Sequence, residues 1–168
     1  MDTLERQLFR MILLIAQVFK NIQLFLYLKK LKSVVVWAAG NGNLGKLKWL
    51  KEKGCTHNVH TFERAARHGN LEIMIWLKRN GCPWEVYTFE RAAGHGSLEN
   101  MMWLQENGCP WSSCTFTASV MNVNPKDLDW LKKKDCPWDK YALDCGSTIY
   151  PHVRILIWLL DNGFYLPR

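Results

Sequence analysis

The stretch Thr61-Phe-Glu-Arg-Ala-Ala-Arg-His-Gly-Asn-Leu-Glu-Ile-Met-Ile-Trp-Leu-Lys-Arg-Asn-Gly-Cys-Pro-Trp84 returns 27 residues later as Thr88-Phe-Glu-Arg-Ala-Ala-Gly-His-Gly-Ser-Leu-Glu-Asn-Met-Met-Trp-Leu-Gln-Glu-Asn-Gly-Cys-Pro-Trp111. A fixed period of this length marks a stack of supersecondary units, each of which buries its apolar face only against its neighbours. Five units align on a Trp-Leu pair, at Trp49-Leu50, Trp76-Leu77, Trp103-Leu104, Trp130-Leu131 and Trp158-Leu159, with spacings of 27, 27, 27 and 28. They divide the chain at about 34–60, 61–87, 88–114, 115–141 and 142–168.

Each unit reads as two helices. In the first, Phe62, Ala65 and Ala66 form an i, i+3, i+4 face, and the two alanines let a neighbouring helix approach closely. Val35-Ala38-Ala39 and Phe89-Ala92-Ala93 repeat that face, and Phe116-Ser119-Val120 and Leu143-Gly146-Ser147 are weaker copies. Gly69 and Gly96 predict a sharp turn. Asn70, Ser97 and Asn124 follow as N-caps, with Pro125 at the first helical position where proline is tolerated best. The second helix, with Leu71, Ile73, Met74, Trp76 and Leu77, ends at Gly54, Gly81, Gly108 and Gly163, the left-handed position that terminates many helices. Asp135 replaces that glycine in the fourth unit. Pro83-Trp84, Pro110-Trp111 and Pro137-Trp138 then redirect the chain. The second-helix tryptophans are expected to face the core.

The 168 residues carry a net charge of +7, unevenly placed. Residues 1–33 hold six cations against Asp2 and Glu5, a net of +4, which leaves +3 for the rest. With the remaining basic excess at Lys132-Lys-Lys134, no basic stripe runs along the repeats, and a nucleic-acid partner is not expected. Cys55, Cys82, Cys109 and Cys136 lie 27 apart. Equivalent positions in stacked helices are separated by about 8–10 Å, too far for disulfides or for one tetrahedral metal site. They read as a small buried thiol in each joint, and reduced cysteines suggest an intracellular, cytoplasmic protein.

The leader, residues 1–33, has apolar residues at Leu4, Leu8, Met11, Ile12, Ile15, Phe19, Ile22, Phe25 and Leu28, a helical spacing. It lacks the basic start and small-residue cleavage site of a signal peptide. Gln17, Lys20, Asn21 and Gln23 interrupt the roughly 20-residue apolar run of a membrane span. Three readings stay open: a degenerate repeat capping the stack, an amphipathic helix on a membrane surface, or a poor anchor. The end at Pro167-Arg168, with no polar cap, predicts some self-association.

The run from Ala65 to Cys82 resembles the ankyrin-repeat pattern A-A-x-x-G-H-x-E-V-V-x-L-L-L-x-x-G-A. Cys82 stands in the small alanine slot, Leu77 in a core leucine slot and Gly81 in the terminal glycine slot. The Gly-Cys-Pro-Trp endings and Trp-Leu pairs look like the short ankyrin-like arrays of large DNA viruses and some protists. The resemblance covers about Val34 to Phe164. One departure is the opening, Thr61-Phe-Glu-Arg64 where the family has T-P-L-H, and another is a period of 27 instead of about 33. The missing residues would form the β-hairpin finger. The resemblance therefore implies an all-α, ankyrin-like α-solenoid of about five helix-turn-helix repeats with reduced or absent fingers.

Chemistry is sparse. His57, His60, His68, His95 and His152 have no accompanying nucleophile motif, and a general base needs an oriented partner. Gly40-Asn-Gly42 is a repeat turn, not a phosphate loop. No catalytic, cofactor or metal site is expected. In the ankyrin resemblance the first helices line a concave face, where Glu63, Arg64, Arg67, His68, Glu90, Arg91 and His95 would project toward a protein partner. Against this stands a solvated face held by Glu63–Arg67 pairing at i, i+4, worth about 0.3–0.5 kcal/mol. Trp84 and Trp111 are second-tier contacts, because tryptophan is enriched in hot spots. The expected function is a non-catalytic protein-interaction scaffold, by the resemblance a host-directed viral one; the alternative is a membrane-associated adaptor anchored by the leader.

Overall fold

Alanine pairs set the central feature of the fold, a row of closely packed first helices. In a computed structural model, which describes residues 3–139 and 153–164, nine helices are α1 (Thr3–Gly40), α2 (Leu44–Glu52), α3 (Val59–Arg67), α4 (Leu71–Arg79), α5 (Val86–His95), α6 (Leu98–Glu106), α7 (Ser113–Asn122), α8 (Pro125–Lys133) and α9 (Val153–Asp161). No strand occurs among the described residues. The end of α1 and the helices α3, α5 and α7 contact one another in sequence, and each also packs on the helix that follows it. Ala38, Ala39, Ala65, Ala66, Ala92 and Ala93 have no solvent exposure. The helices approach so closely that a Cβ built on Gly94 would lie 3.5 Å from the Ala118 methyl in α7. The fold is thus all-helical and repeat-like. Leu143-Gly146-Ser147, the expected first helix of the fifth unit, lies outside the described residues.

Each joint closes with the same devices. Gly54, Gly81, Gly108 and Gly163 take positive φ as expected, and Asp135 does so at 54° in their place. Asn124 caps α8 through Lys126 N, with Pro125 in the first turn. Ser97 caps α6 through Asn100 N. Asn70 sits at its N-cap position but makes no cap bond. Its amide donates instead to Ala39 O and Gly40 O of α1, both at 3.1 Å. In the next joint a serine replaces it, and the amide of Asn100 reaches back to Ala66 O at 3.5 Å. The turn glycines also divide. Gly69 is left-handed at φ 73°, whereas Gly96 has φ −86°, so conformational freedom is not its reason.

The cysteines occupy the joints as expected. The thiols of Cys82, Cys109 and Cys136 donate to the carbonyls of Asn58, Glu85 and Ser112, one repeat back. Burial pushes each up to about 12, which leaves them protonated and unreactive.

One expectation is corrected. The second-helix tryptophans are half-buried, not core, and Trp49 is 52% exposed. Each needs a ring from the preceding loop: His57 covers Trp76 at 5.1 Å, Trp84 covers Trp103 at 5.9 Å and Trp111 covers Trp130 at 6.1 Å, all edge-on. One period earlier the covering position is Lys30, and Trp49 stays bare. The leader and the first repeat share one helix. No turn separates this leader from the first repeat, because α1 runs unbroken through the 33/34 boundary. Every described side chain from Gln7 to Lys30 is exposed.

Asp127 is a buried carboxyl at the start of α8, 1% exposed, and accepts hydrogen bonds from the amides of Asn122 and Asn124. Desolvation raises its pKa, and the two hydrogen bonds oppose that shift without reversing it. A carboxyl raised in the folded state stabilises the fold fully below its unfolded pKa of about 3.9 and loses that contribution as pH rises through the folded value. Asp127→Asn, which cannot ionise, is therefore expected to gain melting temperature relative to the wild type as pH is raised from acid toward neutral. An unchanged difference in melting temperature across that range would show that the carboxyl titrates normally.

Candidate interaction surface

The repeated Thr begins the construction of this surface. It is the third residue of its helix, and its hydroxyl accepts from the backbone N–H of the N-cap residue: Asn58 to Thr61, Glu85 to Thr88 and Ser112 to Thr115. In α3 the Asn58 side chain returns the bond to Thr61 N at 3.1 Å. This reciprocal cap fixes the rotation of each first helix. Phe62, Ala65 and Ala66 are thereby turned inward and fully buried, and Glu63, Arg64, Arg67 and His68 outward. The sequence reading placed Thr61 at the start of its unit and missed its capping role, although the threonine recurs at 61, 88 and 115.

The outward residues are brought together in part. Of the two readings of this face, the Glu63–Arg67 pairing is not formed; the Glu63 carboxylate meets His60 Nδ1 at 3.2 Å. Glu90 accepts from the hydroxyl of Ser112, the N-cap residue of α7, at 3.3 Å. Both acids are thus engaged away from the arginines. Arg64 is half-buried, its stem lying over Gly40, where the missing side chain makes room for it. Arg67 is half-buried and Arg91 exposed. Among the described residues no acid forms an ion pair with Arg64, Arg67 or Arg91.

His68 and His95 are exposed on the same face. The pKa of each is lowered, first by desolvation and then by neighbouring cations: Arg64 and Arg67 for His68, Arg67 and Arg91 for His95. His68 also acts on His95, so two adjacent repeats share one positive field. Both imidazoles are neutral at pH 7. They lack the buried orienting partner a general base requires.

Trp84 and Trp111 lie elsewhere. Trp84 packs on Phe62 at 5.2 Å and carries the Lys78 ammonium 3.3 Å above its ring. Trp111 packs on Phe89 at 5.3 Å. Both fill joints beside the second helices, apart from the arginine face. Among the described residues no three His, Cys, Asp or Glu side chains gather closely enough to hold a metal ion. No helix among them is long and apolar enough to cross a membrane.

No family model matches the chain, and no curated protein matches it significantly.

Proposed function

We propose that the chain is a non-enzymatic, ankyrin-like α-solenoid whose first-helix row is the concave, partner-binding face, in keeping with an intracellular and virus-type host-directed interactor. Its period and its Ala-Ala, Gly and Gly-Cys-Pro-Trp positions support the ankyrin reading. The observation that carries the functional reading is the cluster Arg64, Arg67 and Arg91, held on rigid capped helices with neighbouring acids turned aside. Unpaired guanidiniums on a preorganised face lose little entropy on docking and favour a carboxylate-rich partner.

The test is selection of binders from a random peptide display library, followed by affinity measurement against charge-reversed chains. Selected peptides are expected to be acidic and to weaken at least about tenfold against Arg67→Glu/Arg91→Glu, which corresponds to 1.4 kcal/mol. They should bind Lys133→Glu/Lys134→Glu, altered at a distant basic site, as tightly as the wild type. Binders indifferent to the arginine pair would place recognition on another surface.

A further inference from the structure

The leader part of α1 is the largest apolar surface left uncovered among the described residues. Met11, Leu14, Ile15, Val18, Phe19, Ile22 and Leu26 are 47–64% exposed. At 3.6 residues per turn they fall within one arc of about 140°, with Gln17, Lys20 and Gln23 outside it.

The same arc, continued along α1, holds Ser33, Val36 and Gly40. They border α3: Ser33, Val36 and the half-exposed Trp37 beside them share a cleft with Asn58, His60 and Arg64, and Gly40 lies under the Arg64 side chain. Later repeats keep the direction, since on α5 Glu90 bonds Ser112 at the cap of α7 and Gly94 faces Ala118 within α7. The stripe therefore points to the side on which α3, α5 and α7 are stacked. A flat lipid surface laid against it would run into those helices. A single helix would not; it fits beside the leader, in line with α3 and beyond its N-terminal end.

We infer that this helix is the leader of a second copy, paired antiparallel through the same stripe. The self-complementary contact is what a two-fold dimer requires. Residues Met11–Leu26 span about 24 Å, and seven half-exposed apolar side chains offer roughly 700 Å² per copy, close to the ~800 Å² of a standard interface. Charge selects the direction. With the two-fold axis between Val18 and Phe19, the second copy's Ile22 falls beside Ile15 and its Leu26 beside Met11. A parallel pair would instead set Lys30 and Lys32 of both copies together, and bring the two arrays into the same space.

Light scattering on the full chain is expected to give twice the single-chain mass. Ile15→Asp/Ile22→Asp, exposed and 7 residues apart, is expected to halve it while the thermal transition of the repeats persists. In a Cys114→Ser background, Val18→Cys should form an interchain disulfide and Met11→Cys should not, since residue 11 faces residue 26 in the antiparallel pair. A single-chain mass for the wild type, a dimer that survives the Ile15/Ile22 pair, or cross-linking through Met11→Cys overturns the proposal. So does a monomeric chain that co-sediments with phosphatidylserine vesicles, which would make lipid the occupant.

Discussion

Phe89→Ala is expected to destabilise the protein by roughly 3–5 kcal/mol and to lower its melting temperature by roughly 6–20 °C. Phe89 has no solvent exposure and lies at the centre of α5, which contacts α3, α6 and α7. Its ring is held by Trp111 at 5.3 Å, so truncation removes an aromatic contact as well as leaving a cavity. The rigid alanine packing around it, Ala92 and Ala93 included, leaves little freedom to collapse into the space. Because contacts run between neighbouring helices, the loss also uncouples the repeats on either side. Urea unfolding should show a lower midpoint together with a broader transition. The comparison is Trp49→Ala, an equally drastic truncation at a ring 52% exposed, expected to cost under about 1 kcal/mol. Equal losses for the two would mean that burial does not rank these aromatics.

Gly96→Ala is expected to cost about 3 kcal/mol or more, from a single added methyl group. The Cβ would stand 2.7 Å from both Ala66 O and Ala92 O and 3.0 Å from Ala92 Cα. All three are backbone atoms, so relief requires α3 to move away from Ala66 O and the last turn of α5 to open away from Ala92. Gly81→Ala is the informative partner. It meets nothing within 4 Å, but φ is +70° there, and the left-handed conformation alone costs about 1–2 kcal/mol. Midpoints from urea unfolding of the two variants separate steric from conformational demand. A loss at Gly96 no larger than at Gly81 would mean that the helices yield easily.

Helix pairs, joint cysteines, left-handed C-terminal positions and the buried Phe-Ala-Ala faces were legible in the residues, because each follows from local spacing repeated every 27 positions. Repetition also brought one error. Trp49 and Trp76 hold the same place in a Trp-Leu-Lys run, yet their exposure differs, since only Trp76 has a ring one loop earlier to cover it. The arginine face was legible as well, but not its pairing: Glu63–Arg67 has ideal helical spacing, and the carboxylate turns to His60 instead. Asn70 reads as a cap and acts as a bridge to α1, because unsatisfied carbonyls at the end of that helix compete for its amide.

The sequence by itself determined that this protein is a run of helix-turn-helix units and which side of each helix is buried, since periodicity and turn residues act within one unit. Only the tertiary structure decided how polar groups are partnered between units, why Gly96 must lack a side chain, and that one helix runs unbroken from Thr3 to Gly40. Those outcomes depend on which atoms a neighbouring unit presents at a few ångströms, and neighbour geometry is a property of the stack that no single repeat encodes.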